Sequence, residues 1–368
     1  MPSQDLAANF AFIGTYTHMR GQNRAEGIYV FRIDPTNGGL TLAHTASGIV
    51  NPSFLTLDPR QRYLYAVNEL SEIDGPNGGA VNAYAIDRST GALTFLNRQP
   101  THGSLTCHLE VDDTGKYLLV ANYGSGSVVM FPILDDGRLA PSSDFVQHVG
   151  SSVNQERQQG PHAHSINIDA GNRFALTPDL GMDKVVIYRI DLSAGRLIPN
   201  DPSFATVAPG SGPRHLAYHP NRRLVFVINE IGSTMTSFRY DENRGALEEV
   251  QTISTLPEGF TGRTSCADCH VSPSGKFLYG SNRGHNSIVI YAIDEATGHL
   301  TLVGHESTQG RIPRNFGIDP TGTYLYAENQ DSSNIVTFRI DQQTGKLTAT
   351  GQVTEVPAPV CMKFARVS

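Results

Sequence analysis

Four residues whose side chains could act together in one reaction stand at related positions along the chain: His164, Arg214, Glu230 and Arg283. A histidine or a carboxylate can take a proton from water, and an arginine carries a fixed charge that stabilises a developing oxyanion. Such a set suits ester cleavage in an anionic substrate. A single histidine or arginine is more often structural, so the prediction depends on the four residues lying together.

A sevenfold repeat explains how distant residues could meet. An alternating run like that of residues 28–34 occurs seven times, each time followed by a glycine two residues before a leucine. Alternation predicts β-strands, and glycine accepts the positive φ of a tight turn, so each repeat contains a hairpin. The leucines that mark the repeats are Leu40, Leu93, Leu139, Leu197, Leu247, Leu300 and Leu347.

A second pattern precedes the last six hairpins. The segment from Pro59 to Asn68 has five counterparts of the same length, and each predicts a strand, a turn and a strand. Each repeat therefore has four antiparallel strands, a to d, and the fold class is an all-β, seven-bladed β-propeller over residues 1–368, a single domain. The first repeat lacks strand a, and the C-terminal run 360–366 is predicted to supply it and close the ring.

Propeller geometry brings the start of each strand a and the end of each strand b to one mouth of the central channel. The polar positions at the start of strand a include His164 and Arg214, and those after strand b include Glu230 and Arg283. Four longer segments, 17–27, 71–79, 141–160 and 257–265, are predicted to be loops on this same face. Loops often carry binding residues, which favours a functional site there.

Two motifs invite a metal or haem interpretation that the repeat disfavours. Cys266-Ala-Asp-Cys-His270 has the spacing of a c-type haem attachment, but it falls on a predicted inner strand. Cys269 occupies an apolar position of the repeat and is predicted to be a core residue. His162 and His164 are predicted to share one side of a strand, yet no carboxylate accompanies them, so we expect neither a metal nor another cofactor.

Composition excludes several classes of function. The formal net charge is −7, and no Lys/Arg run and no 18-residue apolar stretch occurs, so nucleic-acid binding and a membrane span are not expected. The four cysteines are too few for a disulfide framework, and residues 1–9 lack the features of a secretory signal. A cytoplasmic location is therefore predicted.

Several motifs resemble those of the seven-bladed lactonase family, which includes propeller-type 6-phosphogluconolactonases and carboxy-cis,cis-muconate cyclases. The similarity extends from about Phe10 to Phe364, and Cys269 departs from the aliphatic residue more usual there. The motifs are Gln159-Gly-Pro-His-Ala-His164, Asp179-Leu-Gly, Gly212-Pro-Arg-His215, Asn229-Glu230, Cys266-Ala-Asp-Cys-His270, Ser281-Asn-Arg-Gly-His-Asn-Ser287 and Pro313-Arg-Asn-Phe316.

The resemblance implies hydrolysis of 6-phospho-D-glucono-1,5-lactone in the pentose phosphate pathway, without a cofactor. It implies a catalytic set of His164 (or His162), Arg214, Glu230 and Arg283, the same set that the repeat selects. Further residues predicted to bind a small anionic lactone are His162, His215, Asp268, His270, Arg314 and Lys363. Arg314 and Lys363 are the predicted phosphate ligands.

Two alternatives stay open at this stage. A cyclase that closes a carboxymuconate to a lactone would use the same groups. A non-catalytic propeller that binds a protein or sugar would instead expose a broad apolar surface at the mouth. The chain is expected to be a monomer or a weak homodimer.

Overall fold

The computed structural model describes residues 9–18, 25–70 and 78–366. These residues form seven four-stranded antiparallel sheets arranged as the blades of a propeller, which confirms the predicted fold. Within these ranges, the structure contains no helix that could span a membrane.

Blade 1 is assembled from both ends of the described chain. Its strands, from the channel outwards, are β28 (Pro359–Ala365), β1 (Phe10–Thr15), β2 (Gly27–Ile33) and β3 (Leu40–Ser47). β28 pairs antiparallel with the whole of β1, from Phe10 opposite Ala365 to Thr15 opposite Pro359. The predicted closure by the C-terminal strand is therefore confirmed, and it covers an edge that β1 would otherwise expose.

The other six blades use consecutive strands. Blade 2 contains β4 (Leu55–Leu57), β5 (Tyr63–Asn68), β6 (Ala80–Ile86) and β7 (Leu93–Pro100). Blade 3 contains β8 (Thr106–Val111), β9 (Tyr117–Asn122), β10 (Ser127–Pro132) and β11 (Asp144–Gln147). Blade 4 contains β12 (Asn167–Ile168), β13 (Phe174–Asp179), β14 (Lys184–Asp191) and β15 (Arg196–Thr206).

Blades 5 to 7 complete the ring. Blade 5 contains β16 (Pro213–Tyr218), β17 (Leu224–Asn229), β18 (Thr234–Asp241) and β19 (Ala246–Ser254). Blade 6 contains β20 (Ser265–Val271), β21 (Phe277–Arg283), β22 (Ser287–Ile293) and β23 (Leu300–Ser307). Blade 7 contains β24 (Pro313–Ile318), β25 (Tyr324–Asn329), β26 (Asn334–Ile340) and β27 (Leu347–Glu355).

Apolar side chains between the blades form the core. Leu55, Leu109, Cys269 and Phe316 occupy one apolar position of the repeat, and each is at most 1% exposed. Because side chains alternate along a strand, the neighbouring positions face the channel instead. The core positions thereby fix which polar residues line the channel.

Short turns hold the strands in register. In the a–b turn of blade 2, Asp58 Oδ1 accepts hydrogen bonds from the backbone N–H groups of Arg62 and Tyr63, both at 2.6 Å. The seven c–d glycines all have positive φ, from 61° at Gly245 to 83° at Gly137, as the hairpin prediction requires. These turns lie at the opposite end of the strands from the mouth.

The predicted loops 141–160 and 257–265 are shorter than expected, and residue 27 of the predicted loop 17–27 already belongs to β2. Residues 144–147 form β11, the outer strand of blade 3, because the ladder with β10 resumes after an isolated bridge between Ile133 and Leu139. Residue 265 already belongs to β20. Residues 19–24 and 71–77 of the other two loops lie outside the described residues.

Candidate active site

The carboxylate of Glu230 is the centre of a charged cluster at the channel mouth. Glu230 directly follows β17 and is buried. Its Oε2 accepts a hydrogen bond from Arg214 Nε at 3.1 Å and lies 2.9 Å from Arg283 Nη2. Its Oε1 accepts a hydrogen bond from Arg157 Nη2 at 2.7 Å. Three arginines thus surround one carboxylate, and two of them are predicted from the sequence.

The arginines keep Glu230 ionised. Burial alone would raise the pKa of the Glu230 carboxyl, but the surrounding positive charges outweigh it and hold the pKa well below its usual value. Removing one charged partner from a buried pair leaves the other charge uncompensated, so the cluster is mutually dependent. A carboxylate held this way is a weak base and is better suited to orienting and stabilising a neighbouring cation.

His164 lies beside this carboxylate. Its Nε2 is 3.8 Å from Glu230 Oε2, and its Nδ1 is 3.8 Å from Cys107 Sγ. Burial and then the charge of Arg214 lower the pKa of His164 well below its usual value, so the imidazole is neutral at pH 7. A neutral imidazole can accept a proton from water, and the carboxylate would stabilise the imidazolium formed.

His162 occupies a different position from His164. The strand predicted to carry both histidines is reduced to one isolated β-bridge, between Ala163 and Asp179. The side chains of His162 and His164 therefore do not share one side of a strand. The His162 ring stacks on Tyr123 at 4.6 Å, and its Nδ1 is 2.9 Å from the Tyr123 carbonyl oxygen. His164 meets the same tyrosine ring edge-on at 5.0 Å. Of the two histidines, the structure places His164 next to Glu230.

His215 and Asp268, deeper in the channel than Arg214, orient the Arg214 side chain. Arg214 Nη1 donates to His215 Nε2 at 3.1 Å, so that nitrogen carries no proton, and His215 Nδ1–H donates to Asp268 Oδ1 at 2.8 Å. Burial and then the charge of Arg214 lower the pKa of His215 to about 4, which keeps this tautomer neutral. The other carboxylate oxygen of Asp268, Oδ2, lies 2.9 Å from His270 Nε2. The chain of contacts holds the Arg214 guanidinium toward Glu230.

A second carboxylate lies across the mouth. Glu69 follows β5 at the same repeat position as Glu230. Its Oε2 accepts a hydrogen bond from Tyr16 OH at 2.7 Å, and its Oε1 lies 3.8 Å from Arg314 Nη2. Arg314 also lies 5.3 Å above the Tyr16 ring. Arg314 is therefore at the mouth, as predicted, but it is paired with Glu69.

Lys363 and His270 lie deeper than the mouth. They line an inner cavity of about 170 Å³ with Glu110 and Phe54, beneath His215. Lys363 Nζ lies 4.6 Å above the Phe54 ring. Burial raises the pKa of Glu110 to about 7. The structure therefore does not bring Lys363 and His270 together with Glu230.

The space that the described residues enclose at the mouth is small. Side chains from several blades leave a cavity of about 10 Å³, which is room for about one water molecule. Its polar lining includes Ser53, Glu69, Cys107, His164, Arg214 and Arg314. Burial raises the pKa of the Cys107 thiol, so this cysteine stays protonated at neutral pH and is a poor nucleophile. A sugar-sized ligand would therefore bind on the outer side of this cavity.

Three contributors to the site were missed from the sequence. Glu69 and Tyr123 stand at the same repeat position as Glu230, so the repeat contained their signal. Arg157 lies between β11 and β12 in a segment without a counterpart in the other blades. Its contact with Glu230 could not be inferred from the repeat.

The sequence of residues 10–364 matches the family described as lactonase, 7-bladed beta-propeller. The chain belongs to this family. This confirms the predicted resemblance and, with it, the predicted class of lactone hydrolase. The predicted roles of single residues remain predictions.

Relatives of this lactonase align over most of its length. It is 36% identical to the 6-phosphogluconolactonase of Bacillus subtilis (strain 168) over 353 residues, 96% of this chain and 97% of that protein. It is 37% identical to the 6-phosphogluconolactonase of Formosa agariphila over 84% of this chain and 86% of that protein. The solved structure of Pseudomonas aeruginosa periplasmic gluconolactonase, PpgL, is 35% identical, with a TM-score of 0.91 over 98% of this chain and 99% of that chain.

Proposed function

We propose that this lactonase hydrolyses 6-phospho-D-glucono-1,5-lactone to 6-phosphogluconate. The observation that carries the proposal is the neutral His164 imidazole beside a carboxylate that three arginines surround. The cluster provides a base and fixed positive charge at one opening. Two relatives named 6-phosphogluconolactonase support the phosphorylated substrate.

The first step is attack of water on the lactone carbonyl carbon. His164 takes the proton of the attacking water, and the carbonyl oxygen becomes an oxyanion. The guanidinium groups of Arg214 and Arg283 supply the positive charge that stabilises this oxyanion. Glu230 holds both guanidinium groups in place and stabilises the imidazolium that His164 becomes.

The second step opens the ring. The tetrahedral intermediate collapses, the bond between the carbonyl carbon and the ring oxygen breaks, and that oxygen takes the proton held by His164. The product is one open-chain molecule that carries a carboxylic acid group, ionised at neutral pH, and a free hydroxyl group. The site returns to its starting protonation state without an oxidant or a reductant.

The experiment is a hydrolysis assay with phosphorylated and unphosphorylated gluconolactone, each corrected for spontaneous ring opening, beside a carboxymuconate. We expect the highest kcat/KM with the phosphorylated lactone. A rate no greater than the spontaneous one with both lactones would overturn the proposal. Closure of the carboxymuconate alone would favour the cyclase, which uses the same groups.

Three further expectations accompany this function and stay predictions. They are a role in the pentose phosphate pathway, a cytoplasmic location, and a monomer or weak homodimer. The non-catalytic alternative predicts binding without turnover of any lactone in the same assay.

A further inference from the structure

Arg157 differs from the other arginines of the cluster in its exposure. Its side chain is 41% exposed, whereas those of Arg214 and Arg283 are 3% and 11% exposed. Arg214 and Arg283 are also bonded to the backbone carbonyls of Ala267 and Cys266. The two buried arginines are therefore fixed toward Glu230, and Arg157 is the most solvent-exposed arginine of this set.

The Arg157 guanidinium uses only one of its three nitrogens. Nη2 donates both to Glu230 Oε1 at 2.7 Å and to Tyr123 OH at 3.1 Å. Within the described residues, Nη1 and Nε have no hydrogen-bond partner. Each of these nitrogens keeps an N–H donor that can bind one oxygen of an anion, next to the positive charge of the guanidinium.

The backbone that carries Arg157 is anchored. The N–H groups of Arg157 and Gln158 bond to Asn154, at 3.1 Å to its Oδ1 and 2.8 Å to its carbonyl oxygen respectively. Gln158 is fully buried, and its Nε2 donates to the Leu180 carbonyl oxygen at 2.8 Å. The guanidinium is thus presented from a fixed point at the mouth, which lowers the entropy cost of binding an anion.

The predicted phosphate ligands are placed less favourably. The Arg314 side chain is 20% exposed, against 41% for Arg157, and Lys363 lies in the inner cavity below the mouth. The cavity that Arg314 lines among the described residues holds about one water molecule, so a sugar phosphate must bind outside it. Arg157 lies on that outer side.

We propose that Arg157 binds the phosphate group of the substrate and makes this lactonase selective for phosphorylated over unphosphorylated lactones. The inference rests on the proposed function. Nη2 stays on Glu230 while the Nη1–H donors bind the phosphate, so one side chain links the anionic end of the substrate to the catalytic carboxylate. Arg157 is a specificity residue in this scheme and contacts no reacting atom.

The kinetic test compares wild type with Arg157→Ala, Arg157→Lys and Arg311→Ala. Arg311 is an exposed arginine on another d–a loop and bonds the Asp331 carbonyl, so it is a matched control. We expect Arg157→Ala to raise the ratio of KM for the phosphorylated lactone to KM for the unphosphorylated lactone about 10- to 100-fold. Loss of its contact with Glu230 should lower kcat for both lactones alike. Arg157→Lys should restore part of the difference, because it keeps the charge but lacks the Nη1–H donors, and Arg311→Ala should change neither KM.

A binding experiment keeps the inference testable even if the protein hydrolyses neither lactone. Calorimetry with 6-phosphogluconate and with gluconate measures the phosphate preference directly. We expect wild type to bind 6-phosphogluconate at least about 10-fold more tightly and Arg157→Ala to lose that preference. An unchanged preference in Arg157→Ala would overturn the inference, as would a preference abolished by Arg314→Ala alone or the absence of any preference in wild type. Hydrolysis without an effect of Arg157 would leave the proposed function intact.

Discussion

His164 Nε2 lies 3.8 Å from Glu230 Oε2, and both side chains are buried at one mouth of the channel. The imidazole is neutral because burial and then the charge of Arg214 lower its pKa. The carboxylate is ionised because the surrounding arginines outweigh the effect of burial and hold its pKa well below its usual value. This pairing places a proton acceptor next to a group that stabilises the protonated form. In the proposed mechanism, His164 acts as the base and Glu230 stabilises the imidazolium that His164 becomes.

We expect His164→Ala to lower kcat/KM for the lactone about 10²-fold or more, because the variant lacks the proton acceptor. His162→Ala is the matched comparison, since the His162 ring stacks on Tyr123 and its Nδ1 bonds a backbone carbonyl. Steady-state kinetics of both variants check the assignment. A larger loss in His162→Ala than in His164→Ala would make His162 the base instead.

Arg283→Ala should lower kcat about 10²-fold with a smaller change in KM, because an oxyanion-stabilising charge acts mainly in the transition state. Arg283→Lys keeps a charge but not the paired contacts to Glu230 and the Cys266 carbonyl, so we expect it to recover only part of the loss. A rise in KM alone for both variants would show that Arg283 binds the ground state.

The pH profile follows from the protonation state of His164. The base works only when unprotonated, and its pKa is lowered by burial and by Arg214. Activity should therefore persist as the pH falls through about 6.5, the ordinary histidine pKa, and decline only at lower pH. The measurement is kcat/KM between about pH 4.5 and 8, corrected for spontaneous hydrolysis. An acid limb with a midpoint at or above 6.5 contradicts the assignment.

The repeat made most of the fold and part of the site predictable. Strand alternation fixes which residues face the channel, and equal repeat positions converge at one mouth, so His164, Arg214 and Glu230 could be grouped before the structure was known. The closing strand was predictable because repeat 1 lacked strand a while residues 360–366 had no other partner.

The remaining contacts depend on features that a repeat does not encode. Arg157 reaches Glu230 only because the Asn154–Gln158 turn and the buried Gln158 side chain place it there. The depth of Lys363 depends on its register in β28, which pairs it with Phe12 of β1 and directs it into the inner cavity. Loop conformation and depth along the channel are set by tertiary packing, so the sequence pattern could not supply them.

Deleting residues 357–368 should destabilise the whole propeller. The deletion removes β28, exposes β1 and separates blade 1 from its contacts with blades 2 and 7. We expect a fall in Tm of more than about 10 °C or a failure to fold. Adding a synthetic peptide of residues 357–368 to the truncated chain is the control and should raise its Tm. An unchanged Tm after truncation would contradict closure by β28.

Asp268→Asn tests whether Arg214 is positioned through His215. An asparagine can donate its amide N–H to His215 Nδ1, which would favour the tautomer with a proton on Nε2 facing Arg214 Nη1. The N–H donors of His215 Nε2 and Arg214 Nη1 would then face each other without an acceptor between them. Arg214 would consequently lose its alignment toward Glu230. We expect kcat to fall about 10²-fold or more while KM changes little.

Asp112→Asn is the matched control for this prediction. Asp112 is also a buried aspartate, but its carboxylate caps the a–b turn of blade 3 through the backbone N–H groups of Lys116 and Tyr117. It should lower Tm without lowering kcat, whereas Asp268→Asn should lower kcat even at temperatures where the variant is fully folded. If the two variants change kcat equally, Asp268 supports only the fold, and Arg214 must be held toward Glu230 by its remaining contacts.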